Sequence, residues 1–224
     1  MNRYFYAIIF PIFTFLLLVS IVDVSRFLDK MTTNRPVLRN YILHIAKITI
    51  PLKDRILGLT VLDNLIKLKS TRSCQFCDLT EANMSRLDLS GIDIRHANLR
   101  RANLSETNLT GVNLIKANLT GANLSKANLS KAKLNRAELT KANLTSVNLD
   151  GSDLRDTDIS EVNLSGSSLK DTFLVGANLS MVNLSAANLT KSNLSAANLS
   201  AANLSAANLT KANLVTTNLS GANL

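Results

Sequence analysis

A large aliphatic residue recurs at every fifth position from Leu79 to Leu224 without a slip, and this period constrains the fold more than any other feature. Thirty positions follow it, of which twenty-seven are Leu and the others are Met84, Ile94 and Ile159. We call each of these positions a centre. On an α-helix five residues advance about 500°, so successive centres would form no stripe. In a continuous strand they would alternate between the two faces. The period therefore excludes both regular elements.

The residues around each centre indicate how the chain runs. Two positions before it stands a small or apolar residue, usually Ala, and Ser or Thr commonly follows it. The residue directly before it is Asn or Asp, with four exceptions: Lys133, Glu138, Ser168 and Phe173. Side chains two apart in an extended segment point the same way, so the centre and the small residue face inward and the Asn and Ser or Thr face outward. The fifth residue, often Gly, Lys or Ala, lies at a corner. Repeated corners coil the chain, and stacked coils pair their backbones about 4.8 Å apart.

Stretches such as ANLSKANLSKAKL and AANLSAANLSAANL resemble the pentapeptide-repeat family, whose consensus is A-(D/N)-L-x-x. The resemblance covers residues 74–224, about two-thirds of the chain. It implies an all-β fold, a right-handed quadrilateral β-helix with four pentapeptides per coil. The array would then hold about seven and a half coils and extend over roughly 36 Å at the strand-pairing distance.

Two further segments precede the array: a predicted transmembrane anchor over residues 1–23, and a helical connector and amino-terminal cap over residues 24–73. Tyr4 to Val22 is an uncharged run of nineteen residues, long enough to cross a bilayer as a helix. A cleaved signal peptide and a buried core helix are the alternatives. Basic residues flank the run: Arg3 before it, and Arg26, Lys30, Arg35 and Arg39 after it. By the positive-inside rule they favour a single-pass membrane protein with a cytoplasmic repeat domain, and a periplasmic or lumenal repeat domain is the alternative.

The connector carries two helical patterns. The first runs from Leu38 to Lys47 and is bounded by Pro51, and the second runs from Ile56 to Leu68. Basic amphipathic helices of this kind can lie on a membrane surface. Alternatively they cap the open end of the array, where apolar core and unpaired strand edges would otherwise be exposed.

Four units per coil would make residues twenty apart neighbours on one face, which distinguishes two faces. The uniform face carries Asn and Ser or Thr pairs around the centres Met84, Leu104, Leu124, Leu144, Leu164, Leu184 and Leu204. The irregular face is centred on Leu114, Leu134, Leu154, Leu174, Leu194 and Leu214. Its outward residues include Ile115, Lys133, Asn135, Asp153, Arg155, Phe173, Val175 and Val215. Exposed apolar clusters are typical of partner sites, so Ile115, Phe173, Val175 and Val215 are candidate partner-binding residues. Drift during repeat duplication is the alternative explanation of both patterns.

The last four centres form a second candidate interface: Leu209, Leu214, Leu219 and Leu224. Unshielded solenoid ends invite pairing, so we predict a homodimer that docks these ends with two-fold symmetry. The family resemblance implies the same, since solenoids of this kind dimerise through their carboxy-terminal ends. A frayed last coil is the alternative.

Chemical motifs are few. Cys74 and Cys77 form C-x-x-C at two inward positions, so we interpret them as small buried hydrophobes of the first coil. A redox or metal role would require a second ligand pair or a βαβ context. His44 and His96 are isolated in the sequence, and neither a P-loop nor a dinucleotide fingerprint occurs. We therefore predict no catalytic residue, no cofactor and no metal.

The charge of the array bears on its partners. The chain carries a net charge of +9, to which residues 72–224 contribute +3 from fifteen basic and twelve acidic residues. Some pentapeptide-repeat proteins are strongly acidic, resemble DNA and bind topoisomerase, which requires a phosphate-like surface that this array lacks. The sequence predicts a membrane-anchored, non-catalytic interaction or scaffolding module with a protein partner and no nucleic acid. The alternatives are a DNA mimic that binds topoisomerase and a C-x-x-C redox or metal protein.

Overall fold

The computed structural model describes residues 52–224. They form one α-helix, α1 (Leu52–Thr71), followed from Ser73 onward by a coiled array of parallel bridges. Helix α1 confirms the helical pattern from Ile56 to Leu68. The earlier helical pattern at 38–47 and the apolar run at 4–22 lie outside the described residues.

The array pairs each bridging residue with the one twenty positions later. Twenty-seven parallel bridges run from Ser73↔Asp93 to Asn203↔Asn223 in steps of five residues. One coil therefore contains four pentapeptides, and each pentapeptide contributes one bridging residue to one of four sides. This confirms the β-helix with four units per coil.

Backbone hydrogen bonding explains why the repeat has its composition. In the unit 122–126 the N–H of the first residue donates to the carbonyl of the preceding centre (2.9 Å), and that of the second donates to a carbonyl of the coil before (2.9 Å). The N–H groups of the third and fifth residues donate to carbonyls of the coil after (2.8 and 3.0 Å). The fourth N–H, of Ser125, donates instead to Oδ1 of Asn123 (3.1 Å). Buried backbone donors need acceptors, and the short side chain of Asn or Asp supplies this one locally. The residue before each centre is therefore structural as well as outward-facing.

The corners have a left-handed backbone. All thirty corner residues from Phe76 to Gly221 have φ between 54° and 69°, and only seven of them are glycine. A residue with a Cβ pays about 1–2 kcal/mol in this region. Most corner N–H groups from Phe76 to Ala201 donate to a carbonyl of the adjacent coil, as in the unit 122–126, and such ladder bonds hold these corners in place.

The interior is a stack of aliphatic side chains with a few hydroxyl groups. The centres from Leu99 to Leu199 are at most 1% exposed. Buried Ser and Thr replace Ala two positions before some centres, and most donate to a carbonyl 23 residues earlier, as Thr107 does to Met84 (2.9 Å). Ser192 Oγ differs: it is buried without a hydrogen-bond partner among the described residues.

Side chains of the second half of α1 and of Arg72, just after it, satisfy part of the first edge of the array. In later coils the corresponding carbonyls accept a backbone N–H from the coil before, and the first coil has no such donor. Three first-coil carbonyls instead accept from side chains: Ser73 from Thr71 Oγ1 (2.8 Å), Asp78 from Asn64 Nδ2 (2.8 Å) and Ser90 from the Arg72 guanidinium. Leu68 of the same helix is 2% exposed.

The predicted localisation as a single-pass membrane protein needs correction. Among residues 52–224 no helix combines the length and apolarity needed to cross a membrane. Helix α1 has 20 residues but carries six charged side chains, and charge at the bilayer centre is costly. This finding contradicts the predicted localisation as a single-pass membrane protein.

Candidate partner-binding face

The bridges place all four candidate partner-binding residues on one side of the array. Eight bridging residues define that side, and we number them rungs 1 to 8: Ser73, Asp93, Asn113, Lys133, Asp153, Phe173, Asn193 and Asn213. The residue two positions after each also faces outward and belongs to the same rung. The irregular face therefore extends two rungs further toward the amino terminus than the sequence analysis placed it.

The apolar residues of the irregular face differ in exposure. Phe173 is 49% exposed and Val215 is 64% exposed, whereas Ile115 and Val175 are half-buried. Phe173 and Val175 share rung 6. Ile115 lies on rung 3 and Val215 on rung 8. The structure thus makes rung 6 the strongest apolar feature of this face and leaves the other two residues separate from it.

Phe173 occupies a position that the fold normally gives to Asn or Asp. As a result the N–H of Val175 has no hydrogen-bond acceptor in the part of the chain that the structure describes. The exceptions Lys133 and Glu138 likewise leave the N–H groups of Asn135 and Thr140 without an acceptor among the described residues, whereas after Ser168 the N–H of Lys170 donates to Oδ1 of Asp150 in the coil before (3.0 Å). Residues that break a local rule without compensation are typical of functional sites.

Two ion pairs flank the apolar residues. On rung 5 Arg155 contacts Asp153 at 2.6 Å, and on rung 2 Arg95 contacts Asp93 at 2.8 Å. Hydrogen bonding from the arginine lowers the pKa of both carboxyl groups, which keeps them charged near neutral pH. Lys133 on rung 4 is exposed. The irregular face therefore presents charged and apolar groups side by side.

Corner residues add exposed apolar groups that the sequence analysis missed. Phe76, at the corner beside rung 1, is 72% exposed, and its ring stacks on that of His96 in the next coil at 4.6 Å between centroids. Met181, at a corner away from the irregular face, is 57% exposed. The sequence does show these large apolar residues at the corner position of a unit, where the sequence analysis considered the backbone and not the side chain.

Comparison with protein-family models agrees with this geometry. Residues 88–125, 122–160, 157–195 and 197–224 match the model described as pentapeptide repeats, in eight copies, and together they exceed half of the chain. This chain belongs to the pentapeptide-repeat family. The resemblance drawn from the A-(D/N)-L motif is thereby confirmed.

Solved structures of other pentapeptide-repeat proteins are also similar. HetL, involved in heterocyst differentiation regulation in the cyanobacterium Nostoc sp. strain PCC 7120, is 29% identical, with 71% of this chain and 93% of that chain covered and a TM-score of 0.29. A protein of the Arabidopsis thaliana thylakoid lumen is 29% identical, with coverages of 46% and 68% and a TM-score of 0.35. QnrB1, a plasmid-mediated fluoroquinolone resistance protein, is 18% identical, with coverages of 67% and 80% and a TM-score of 0.45. A comparison with curated proteins gave no match.

The two cysteines of this pentapeptide-repeat protein form a disulfide. Cys74 and Cys77 are 0% and 5% exposed, which confirms that they are buried, but they are bonded to each other across the corner at Phe76. Their interpretation as separate small hydrophobes is therefore wrong. The C-x-x-C spacing carried the signal, because a corner brings their Cα atoms to 5.4 Å. Within residues 52–224 no group of three or more His, Cys, Asp and Glu side chains could hold a metal ion.

The candidate dimer end lies on the last coil of the pentapeptide-repeat array. Leu209, Leu214 and Leu219 are half-buried and Leu224 is 76% exposed, one on each side of the coil. The structure brings these four residues together. Their association with a second copy stays a prediction.

Proposed function

We propose that this pentapeptide-repeat protein is a non-catalytic protein-binding module whose binding surface is the irregular face, with rung 6 at its centre. The observation that carries the proposal is Phe173, an exposed aromatic ring at a structural Asn position, where it leaves the N–H of Val175 unpaired. Aromatic and arginine side chains are enriched in the energetically dominant part of protein interfaces. Arg155 lies on the next rung. In this proposal residues 74–224 form the binding domain and α1 caps its first coil.

The two other functions considered for this chain fit the surface less well. A DNA mimic needs a phosphate-like negative surface, and rungs 4 and 5 present Lys133 and Arg155 beside a single carboxylate, Asp153. A thiol–disulfide exchange protein needs an accessible sulfur, and Cys74 is fully buried.

The proposal is tested by capturing partners with the full-length chain and two variants. Phe173→Asn restores the residue that the repeat prefers, so the fold should persist while the specifically captured protein is lost. Met181→Ser is the matched control, because it removes an exposed apolar side chain of similar exposure from outside the irregular face. Circular dichroism checks that both variants remain folded. Equal capture by the wild type and Phe173→Asn would refute the proposal.

A further inference from the structure

The array carries two adjacent bands of opposite charge. Residues 112–149 contain six basic residues and one acidic residue, a net charge of +5. Residues 150–171 contain six acidic and two basic residues, a net charge of −4. If two copies lay side by side in parallel, each band would face the same band of the other copy. An antiparallel arrangement places the basic band of each copy against the acidic band of the other, which charge complementarity favours.

The central rungs of the irregular face carry complementary residues in one antiparallel register. A two-fold axis between rungs 4 and 5 places rung 4 of one copy opposite rung 5 of the other. In the same way it places rung 3 opposite rung 6, rung 2 opposite rung 7 and rung 1 opposite rung 8. Lys133 of one copy then lies opposite Asp153 of the other. Ile115 lies opposite Val175, so apolar groups also meet. By symmetry each contact occurs twice.

The corner that follows the irregular face agrees with the same register. Arg136 follows rung 4 and Asp156 follows rung 5, and both are exposed. About the same axis, Arg136 of one copy comes opposite Asp156 of the second. The corner thus adds a second pair of opposite charges without any change of register.

From this complementarity we propose that the irregular face binds a second copy of this chain, antiparallel, about a two-fold axis between rungs 4 and 5. This rests on the proposed function of the face and names its partner. Two of the other sides of the array fit less well. The side after the irregular face would oppose Glu138 to Asp158 in the same arrangement. The uniform face offers neither charge nor large apolar groups on its rungs.

The size of the face sets the expected strength. Eight rungs spaced about 4.8 Å apart give a length of roughly 34 Å, and three extended residues give a width of about 10 Å. The face thus offers roughly 340 Å² per copy, or about 680 Å² for the pair, which is below the roughly 1,200 Å² of stable specific interfaces and corresponds to a weak, transient complex. We therefore expect dissociation constants between about 1 and 100 µM.

Charge reversal with rescue tests the pairing. Sedimentation equilibrium of the full-length chain should show a dimer. Lys133→Glu and Asp153→Lys should each weaken self-association at least about tenfold, because each places like charges opposite one another twice. A mixture of the two variants should restore the dimer, since both contacts become attractive again. The fold tolerates Lys at the position of Asp153, because rung 4 already has it.

Cross-linking tests the register. Ile115→Cys mixed with Val175→Cys should give an intermolecular disulfide on mild oxidation. Neither variant alone should do so, because identical positions lie three rungs, or about 14 Å, apart along the array in this arrangement. Cys74 and Cys77 are already bonded to each other and do not compete.

The outcomes separate this inference from the proposed function. A monomer throughout the concentration range overturns the inference. A dimer that is insensitive to both charge reversals but lost in Leu214→Lys associates through the last coil and also overturns it. If the chain is monomeric yet captures a different protein in a manner that depends on Phe173, the proposed function stands and the self-association is refuted.

Discussion

A buried hydroxyl without a partner predicts an unusual stabilising substitution, Ser192→Ala. Ser192 is 1% exposed, stands two positions before the centre Leu194, and its Oγ has no hydrogen-bond partner among the described residues. Ala occupies the equivalent position in the neighbouring units at Ala187 and Ala197, where it is also buried. The substitution therefore removes one atom from a site that accommodates Ala elsewhere.

The expected magnitude comes from the desolvated oxygen. A buried polar group that is left unsatisfied costs about 1–3 kcal/mol, so Ser192→Ala should raise the free energy of unfolding by about 1 kcal/mol or more. Ser167→Ala is the matched control. Oγ of Ser167 donates to the carbonyl of Leu144 (3.0 Å) and accepts from the N–H of Val147 (3.3 Å). Its removal should lower the free energy of unfolding by about 0.5–1.5 kcal/mol.

Urea unfolding followed by circular dichroism measures both variants against the wild type. The midpoints should move in opposite directions while the slopes of the transitions stay equal, since the surface exposed on unfolding is unchanged. Shifts of the two midpoints in the same direction would refute the hydrogen-bond reasoning.

Three further predictions concern the core, the corners and the ion pair on rung 5. Leu124→Ala should lower the free energy of unfolding by about 2–5 kcal/mol, as measured by urea unfolding, and the half-buried Leu219→Ala by less; equal losses would contradict the burial argument. Ala186→Gly, at a corner with φ of 56°, should raise the melting temperature slightly. The substitution removes the cost of about 1–2 kcal/mol that a residue with a Cβ has in the left-handed region. The greater backbone freedom of Gly in the unfolded chain offsets this gain by about 0.5–1 kcal/mol. A lower melting temperature would contradict the prediction. The hydrogen bond from Arg155 lowers the pKa of folded Asp153, so its stabilisation is present above the unfolded pKa of about 3.9 and is lost as the pH falls through the folded value. When unfolding is measured from neutral to acidic pH, the free energy of unfolding should fall less steeply in Asp153→Asn than in the wild type.

The repeat was predictable because its chemistry is periodic along the chain. A centre every five residues, a small residue two before it and Asn or Asp directly before it determine which side chains face the core. The position of every corner followed from the same count. The four candidate residues of the irregular face were also predictable, because a twenty-residue coil converts sequence spacing into a shared side.

Other features depend on how the coils close, and no local pattern contains them. At most non-glycine corners, such as Lys126, ladder bonds to the adjacent coil hold the backbone in the left-handed region against the preference of the residue. The stacking of Phe76 on His96 needs residues twenty apart to become neighbours. Sequence alone determined which residues are inward and which are outward in this protein. Tertiary structure alone decided which buried hydroxyl groups find partners, because most of those partners are carbonyls of the adjacent coil, and so it distinguished Ser192 from the repeats around it.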